Sequence, residues 1–204
     1  KYVYRELYDE DTGIVYNDIL RHLDWHRKYN YPWMAVFQLE LFKLKGERKY
    51  LQDAYHTMMR YYQEDGAYFY AIGIPAYELI QELNDTGMTV EAMKFQEKFL
   101  EHANFILQKG SHYPEHEVNY EQMIIAPGVS YLIQAYQLTK DHRFIIEAER
   151  QLTILYLFNG RQPNYHQFEN AIRHWDGYWF GKKRMFGDTF PHYWSVMTGV
   201  DMLQ

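Results

Sequence analysis

Two stretches of this sequence concentrate side chains suited to chemistry on a sugar. Residues 111–122 hold His112, Glu115, His116, Glu117, Asn119, Tyr120 and Glu121. Residues 160–194 contain three of the chain's five tryptophans together with Arg173, His174, Asp176, Tyr178, Asp188 and His192. A flat indole or phenol ring stacks on the C–H face of a pyranose, while neighbouring Asp, Asn, Arg and His groups hold its hydroxyls. On this reading Trp175, Tyr178, Trp179 and Trp194 form the platform. His112, Asn119, Arg173 and His192 make the polar contacts. The same rings would also serve as packing between helices, but the share of polar groups beside them is high for an ordinary core.

Hydrolysis of a glycosidic bond needs two carboxyl groups, one protonated to assist the leaving oxygen and one ionised to activate water or attack the sugar. Asp176 is the first candidate. Trp175 and Tyr178 would partly desolvate it and raise its pKa, whereas Arg173 and His174 would hold it ionised. Glu117 or Glu121 would supply the second carboxyl group, and each of these acids also reads as a plain surface or helix-start charge. Asp188, between Gly187 and Thr189, reads as a turn or cap residue.

The same residues allow cleavage of an acidic polysaccharide by β-elimination. That reaction needs a base for the proton beside the carboxylate, an acid for the leaving oxygen and a group that neutralises the carboxylate. Tyr120 with His112 or His174 would do the proton work, helped by Asn119 and Arg173. Hydrolysis is the leading expectation, with elimination as its alternative. A third reading, from another class, is a helical array that binds a glycan or scaffolds a partner without catalysis. His112-Tyr113-Pro114-Glu115-His116 formally matches the H-x-x-E-H pattern of a zinc peptidase class. Pro114 disfavours the helix that would bring those histidines to one face, so no metal is assigned to them.

The elements that must position these groups read as helices. From Pro32, the residues Trp33, Phe37, Leu41 and Leu44 recur at helical spacing, with Pro32 suited to a first helical position and Gly46 to an end. A second helix after Gly46 carries Leu51, Ala54, Met58 and Tyr62 and stops near Gly66. Residues 75–83 form a short striped segment, Asp85-Thr86-Gly87 a turn and Thr89 an N-cap. Ala92, Phe95, Phe99, Ala103 and Ile106 continue the pattern to Gly110. Pro127 opens a third hairpin, with Val129, Leu132 and Tyr136, a turn at Thr139-Lys140-Asp141, and then Ile145, Ala148, Leu152 and Leu155. Residues 44–54 laid over residues 138–148 put leucine, aromatic, aliphatic and alanine positions in register, which is the signature of an internal repeat.

Leu44-Lys45-Gly46-Glu47 and Leu138-Thr139-Lys140-Asp141, each followed by basic, aromatic and aliphatic residues, resemble the hairpin turns of the six-hairpin glycosidase superfamily. Asp9-Glu10-Asp11-Thr12-Gly13 is similar to the acidic-Thr-Gly turns of that group. The resemblance implies an all-α fold of antiparallel helical hairpins forming part of an (α/α) toroid, in which each hairpin buries its face against its neighbours. It implies glycoside hydrolases and polysaccharide lyases alike, with a sugar epimerase a more distant option. Residues 1–204 then form a single helical-hairpin domain, an incomplete portion of an (α/α)6 ring, with the remainder of the toroid or a second subunit as its partner.

Composition sets the outer limits. The 204 residues carry 21 basic and 27 acidic side chains, a net charge of -6 that gives no field to attract a phosphate backbone, so nucleic acid is not expected as a partner. No apolar run is long enough for a membrane helix. The absence of cysteine removes disulfides, thiolate metal sites and thiol nucleophiles, and leaves the compartment open. No G-x-G-x-x-G or P-loop follows a strand pattern, so no nucleotide cofactor is implied. The partner expected is an oligo- or polysaccharide.

Overall fold

The computed structural model describes residues 1–71, 73–117, 122–159 and 197–203. Among these residues the regular elements are α1 (Tyr2–Glu6), α2 (Asn30–Lys45), α3 (Arg48–Gln63), a 3-10 turn (Gly66–Tyr68), α4 (Ala76–Asp85), α5 (Thr89–Lys109), α6 (Gln122–Thr139), α7 (His142–Asn159) and α8 (Met197–Leu203). No strand occurs among them, and isolated antiparallel bridges join Tyr8 to Val15 and Asp18 to His22. No described helix is long and apolar enough to cross a membrane. The chain divides into two compact units, Lys1–Phe105 and Ile106–Gln204.

In the first unit α2 and α3 form an antiparallel hairpin. Gly46 closes α2 with φ 69°, and its N–H donates to the Phe42 carbonyl at 2.7 Å, a left-handed cap that suits glycine. The buried side of α2 is not the expected stripe. Tyr31, Pro32, Met34, Ala35, Gln38 and Leu39 face inward, whereas Trp33, Phe37 and Leu44 are 37%, 39% and 76% exposed. Apolar residues surround this helix almost evenly, so spacing alone does not choose a face. The helix also starts at Asn30, which makes Pro32 its third residue, still within the first turn where a missing N–H costs nothing.

The stripe of α3 is the expected one. Leu51, Ala54, Met58 and Tyr62 are buried, joined by Asp53, Thr57 and Tyr61. Thr57 Oγ1 donates to Gln38 Oε1 at 2.8 Å across the hairpin, which satisfies the Thr57 hydroxyl and the Gln38 carbonyl oxygen. Ahead of the hairpin, Asp9 Oδ1 accepts from the N–H groups of Asp11 and Thr12, both at 3.0 Å, closing the acidic turn that ends at Gly13. Leu79, Ile80 and Leu83 of α4 are buried, Gly87 turns the chain at φ 76°, and α5 buries Ala92, Phe95, Phe99 and Ala103. Thr89 is the first residue of α5 rather than its cap. The Ala92 N–H bonds instead to the Met88 carbonyl at 2.9 Å, which places the cap at Met88.

The second unit holds the α6–α7 hairpin. Pro127 does not open α6: the helix starts at Gln122 and carries Pro127 inside it. Ile124, Ile125, Ala126, Val129, Tyr131, Leu132 and Ile133 are all buried, and packing on every side offsets the hydrogen bond that proline removes. On α7 the buried positions are Phe144, Glu147, Ala148, Gln151 and Leu155, while Ile145 and Leu152 are half-buried. The expected stripe is therefore rotated by about one residue, toward two polar side chains.

The repeat is visible in the backbone. Lys140 takes φ 58° where Gly46 takes 69°, and its N–H bonds to the Tyr136 carbonyl at 2.8 Å as that of Gly46 bonds to Phe42. Ala54 and Ala148 are both buried at matched positions, and so are the acids Asp53 and Glu147.

Candidate functional site

Residues 110–117, just after α5, follow a non-helical path. Gly110 turns the chain with φ 53°, and a Cβ placed there would stand 3.2 Å from Glu147 Oε1. The left-handed backbone favours glycine at this corner, and an added Cβ would press against the Glu147 carboxylate. Beyond it Tyr113 and Pro114 are buried while His112, Glu115 and His116 are exposed. The chain then tightens again, with the Glu117 N–H donating to the Pro114 carbonyl at 2.9 Å. Glu117 itself is only 7% exposed.

One face of α7 holds this segment. Gln151, fully buried, donates from Nε2 to the Gly110 carbonyl at 3.2 Å and to Glu147 Oε1 at 3.0 Å. Its Oε1 accepts from the Tyr113 hydroxyl at 3.1 Å. Arg150 donates to Ser111 Oγ at 2.9 Å and lies 3.5 Å from Glu147 Oε2. A single carboxamide therefore uses its donor and acceptor ends at the two ends of the turn, an arrangement no hydroxyl or carboxylate reproduces.

Of the residues expected to act on substrate, His112 and Glu117 fall on this segment. Asn119, Tyr120, Glu121, Arg173, His174, Trp175, Asp176, Tyr178, Trp179, His192 and Trp194 lie outside the described residues. His112, Glu115 and His116 occupy loop rather than helix, so they lack the helical spacing that the H-x-x-E-H chemistry requires. Among the described residues no group of three or more His, Asp or Glu side chains is arranged to hold a metal ion.

Several groups were not marked by the sequence reading. Gln151 and Glu147 stood at positions of no special pattern, and their role depends on a contact with residues about 40 positions earlier in the chain. In the first unit a cavity of about 240 Å³ is lined by Val3, Leu7, Tyr16, Trp33 and Phe37, with Asn17 and Asn30 at its polar side. Trp33 and Phe37, the half-exposed rings of α2, form part of its wall, whereas Leu44 does not. Asp201 of α8 is buried, no hydrogen-bond partner among the described residues reaches either carboxylate oxygen, and burial pushes its carboxyl up to about 8.

Similarity to solved structures places the fold. The chain matches one named Polysaccharide Lyase with a TM-score of 0.85 and 42% sequence identity, over 98% of this chain and 29% of that one. The fold class is thus all-α, with antiparallel helical hairpins of the (α/α) toroid kind found among lyases and glycosidases. The chain spans 29% of the length of the lyase it matches. No protein-family model matches the sequence, and no curated protein does.

Proposed function

We propose that this chain belongs to a carbohydrate-active enzyme that cleaves a uronic-acid polysaccharide by β-elimination. The observation that carries the proposal is the 42% identity, over nearly the whole chain, to a protein named as a polysaccharide lyase. That name favours elimination over hydrolysis, so the carboxyl pair built on Asp176 gives way to the tyrosine, histidine and amide set. Residues 111–122 and 173–194 supply that set.

In such a reaction a base removes the C5 proton beside the carboxylate, the C4–O bond breaks, and the electron pair forms a C4–C5 double bond. The departing oxygen takes a proton and becomes the new hydroxyl, so no water is consumed. The carboxylate raises the acidity of the C5–H bond only when its own charge is neutralised, which is the role of Asn119 and Arg173. Tyr120 is the proton-transferring group, with His112 or His174 beside it. Groups in this role contribute roughly 10²–10⁴-fold to rate. Trp175, Tyr178, Trp179 and Trp194 provide rings for the sugar faces, with His192 as a polar contact. Glu117 and Glu121 flank the proton-transfer group in sequence and set its electrostatic surroundings.

The test is turnover of uronate polysaccharides followed by ultraviolet absorbance, since the unsaturated product absorbs and a hydrolysis product does not. Absorbance that appears with the parent and falls about 10²–10⁴-fold in Tyr120→Phe fits the proposal. New reducing ends without absorbance, lost in Asp176→Asn, would replace it with hydrolysis.

A further inference from the structure

The buried polar face of α7 is not explained by packing. In the matching hairpin of the first unit, the position equivalent to Gln151 is Thr57, whose hydroxyl bonds to Gln38 within the hairpin itself. In the second unit the position carries a longer side chain, and that side chain turns away from its hairpin toward residues 110–113. Glu147, one turn earlier, accepts from Gln151 Nε2 and fixes the direction of the amide. Arg150 adds a third attachment at Ser111. Two side chains of one helix, with Glu147 bracing both, thus converge on one short loop.

The cost of this arrangement argues for a purpose. A buried amide and a buried carboxylate lower stability unless fully bonded, and apolar residues at both positions would pack as well or better. The network instead binds a segment whose own backbone bonds are two isolated turns, from the His112 N–H to the Lys109 carbonyl and from the Glu117 N–H to the Pro114 carbonyl. We propose that Gln151 is a positioning residue of the site: with Glu147 behind it, its bonds to Gly110 and Tyr113 fix residues 110–113, and so the place of His112 between them. The role in turnover rests on the lyase reading above, whereas the fixing of the loop does not.

Rigid placement of a catalytic loop matters because a misplacement of about 1 Å costs roughly 10²-fold in rate. Gln151→Met keeps the length and apolar stem of the side chain and removes all three hydrogen bonds. Tyr113→Phe removes a single hydroxyl and leaves the ring in place. Three readouts on the full chain decide the matter: kcat and KM on a uronate polysaccharide, hydrogen exchange of the amides of residues 111–117, and helical content on heating.

The expected result for Gln151→Met is a fall in kcat of about 10–100-fold with KM within about 3-fold, and faster exchange confined to residues 111–117. Tyr113→Phe loses less, and the double variant is no worse than Gln151→Met alone, because the bond that Tyr113→Phe removes is one of the three already lost in Gln151→Met. A folded Gln151→Met with unchanged kcat would overturn the positioning role. So would losses that run in parallel with helical content, or fully additive effects of the two substitutions. If the parent forms no unsaturated product, the lyase reading fails, and exchange alone decides the loop: unchanged protection of residues 111–117 in Gln151→Met overturns its fixing by Gln151, and increased exchange there supports it.

Discussion

His102 is fully buried, with its ring centroid 6.5 Å from that of Tyr61 and 6.0 Å from that of Tyr62. Burial pushes its imidazole down to about 3, against a smaller opposing effect from a hydrogen bond to the Phe69 backbone. Between the ordinary value of 6.5 and about 3 the unfolded chain binds a proton that the folded chain does not. Stability therefore falls as pH drops through that window, by at most about 1.4 kcal/mol per pH unit. Urea unfolding from pH 7 to pH 4 should show this slope in the parent and a shallower one in His102→Met; equal slopes would mean that His102 is not held neutral. Asp201 acts with the opposite sign. Its folded carboxyl keeps a proton up to about 8 whereas the unfolded one releases it near 3.8, so stability falls as pH rises between those values. Asp201→Asn should be the more stable form at pH 8 by on the order of 2 kcal/mol, with the advantage shrinking toward pH 4. An advantage that does not change with pH would contradict the account. Neither group was marked in the sequence, because burial of a single ionisable side chain is set by neighbours distant along the chain. Glu117 shows the same limit: its place among chemically able residues is legible, its burial is not.

Helices with one apolar side were the easiest to read. The stripes of α3 and α5 follow from Leu51, Ala54 and Met58 and from Phe95, Phe99 and Ala103, all of them buried where spacing puts them. Helices α2 and α6 have apolar residues on nearly every side; spacing misplaced the buried face of α2, and Pro127, taken as a helix start, misplaced the beginning of α6. Turns divide in the same way. Gly46 announces a left-handed cap, and Lys140 takes the same conformation through the repeat without any glycine to mark it. Gly66 was read only as the end of α3, yet a Cβ there would come within 2.3 Å of the ring of Tyr61, which is fully buried. Gly66→Ala should thus lower stability by about 1–3 kcal/mol through displacement of that ring. At Gly46 nothing lies within 4 Å of the added carbon, and Gly46→Ala costs only the left-handed backbone, about 1 kcal/mol. Thermal unfolding of the two variants side by side checks the order, and a Gly46→Ala loss equal to or larger than that of Gly66→Ala would refute it.

At the scale of the whole molecule, helical hairpins and an internal repeat were legible because each hairpin repeats the same local grammar of apolar helix, left-handed turn and apolar helix. The reaction was less legible. Carboxylates, tyrosines, histidines and amides stand close together in residues 111–122 and 173–194, and composition alone serves hydrolysis and elimination equally. The match to a chain named Polysaccharide Lyase tips that balance, and hydrogen bonds from Gln151 tie Gly110 and Tyr113, at the start of the first stretch, to α7. The central claim is therefore elimination with Tyr120 as the proton-transferring group. The measurement that tests it most directly is ultraviolet absorbance during incubation with uronic-acid polysaccharides, read together with reducing ends, for the parent and Tyr120→Phe. The account predicts absorbance and reducing ends rising together in the parent, with both reduced about 10²–10⁴-fold in Tyr120→Phe. Reducing ends that rise without absorbance, or absorbance that persists undiminished in Tyr120→Phe, would contradict it.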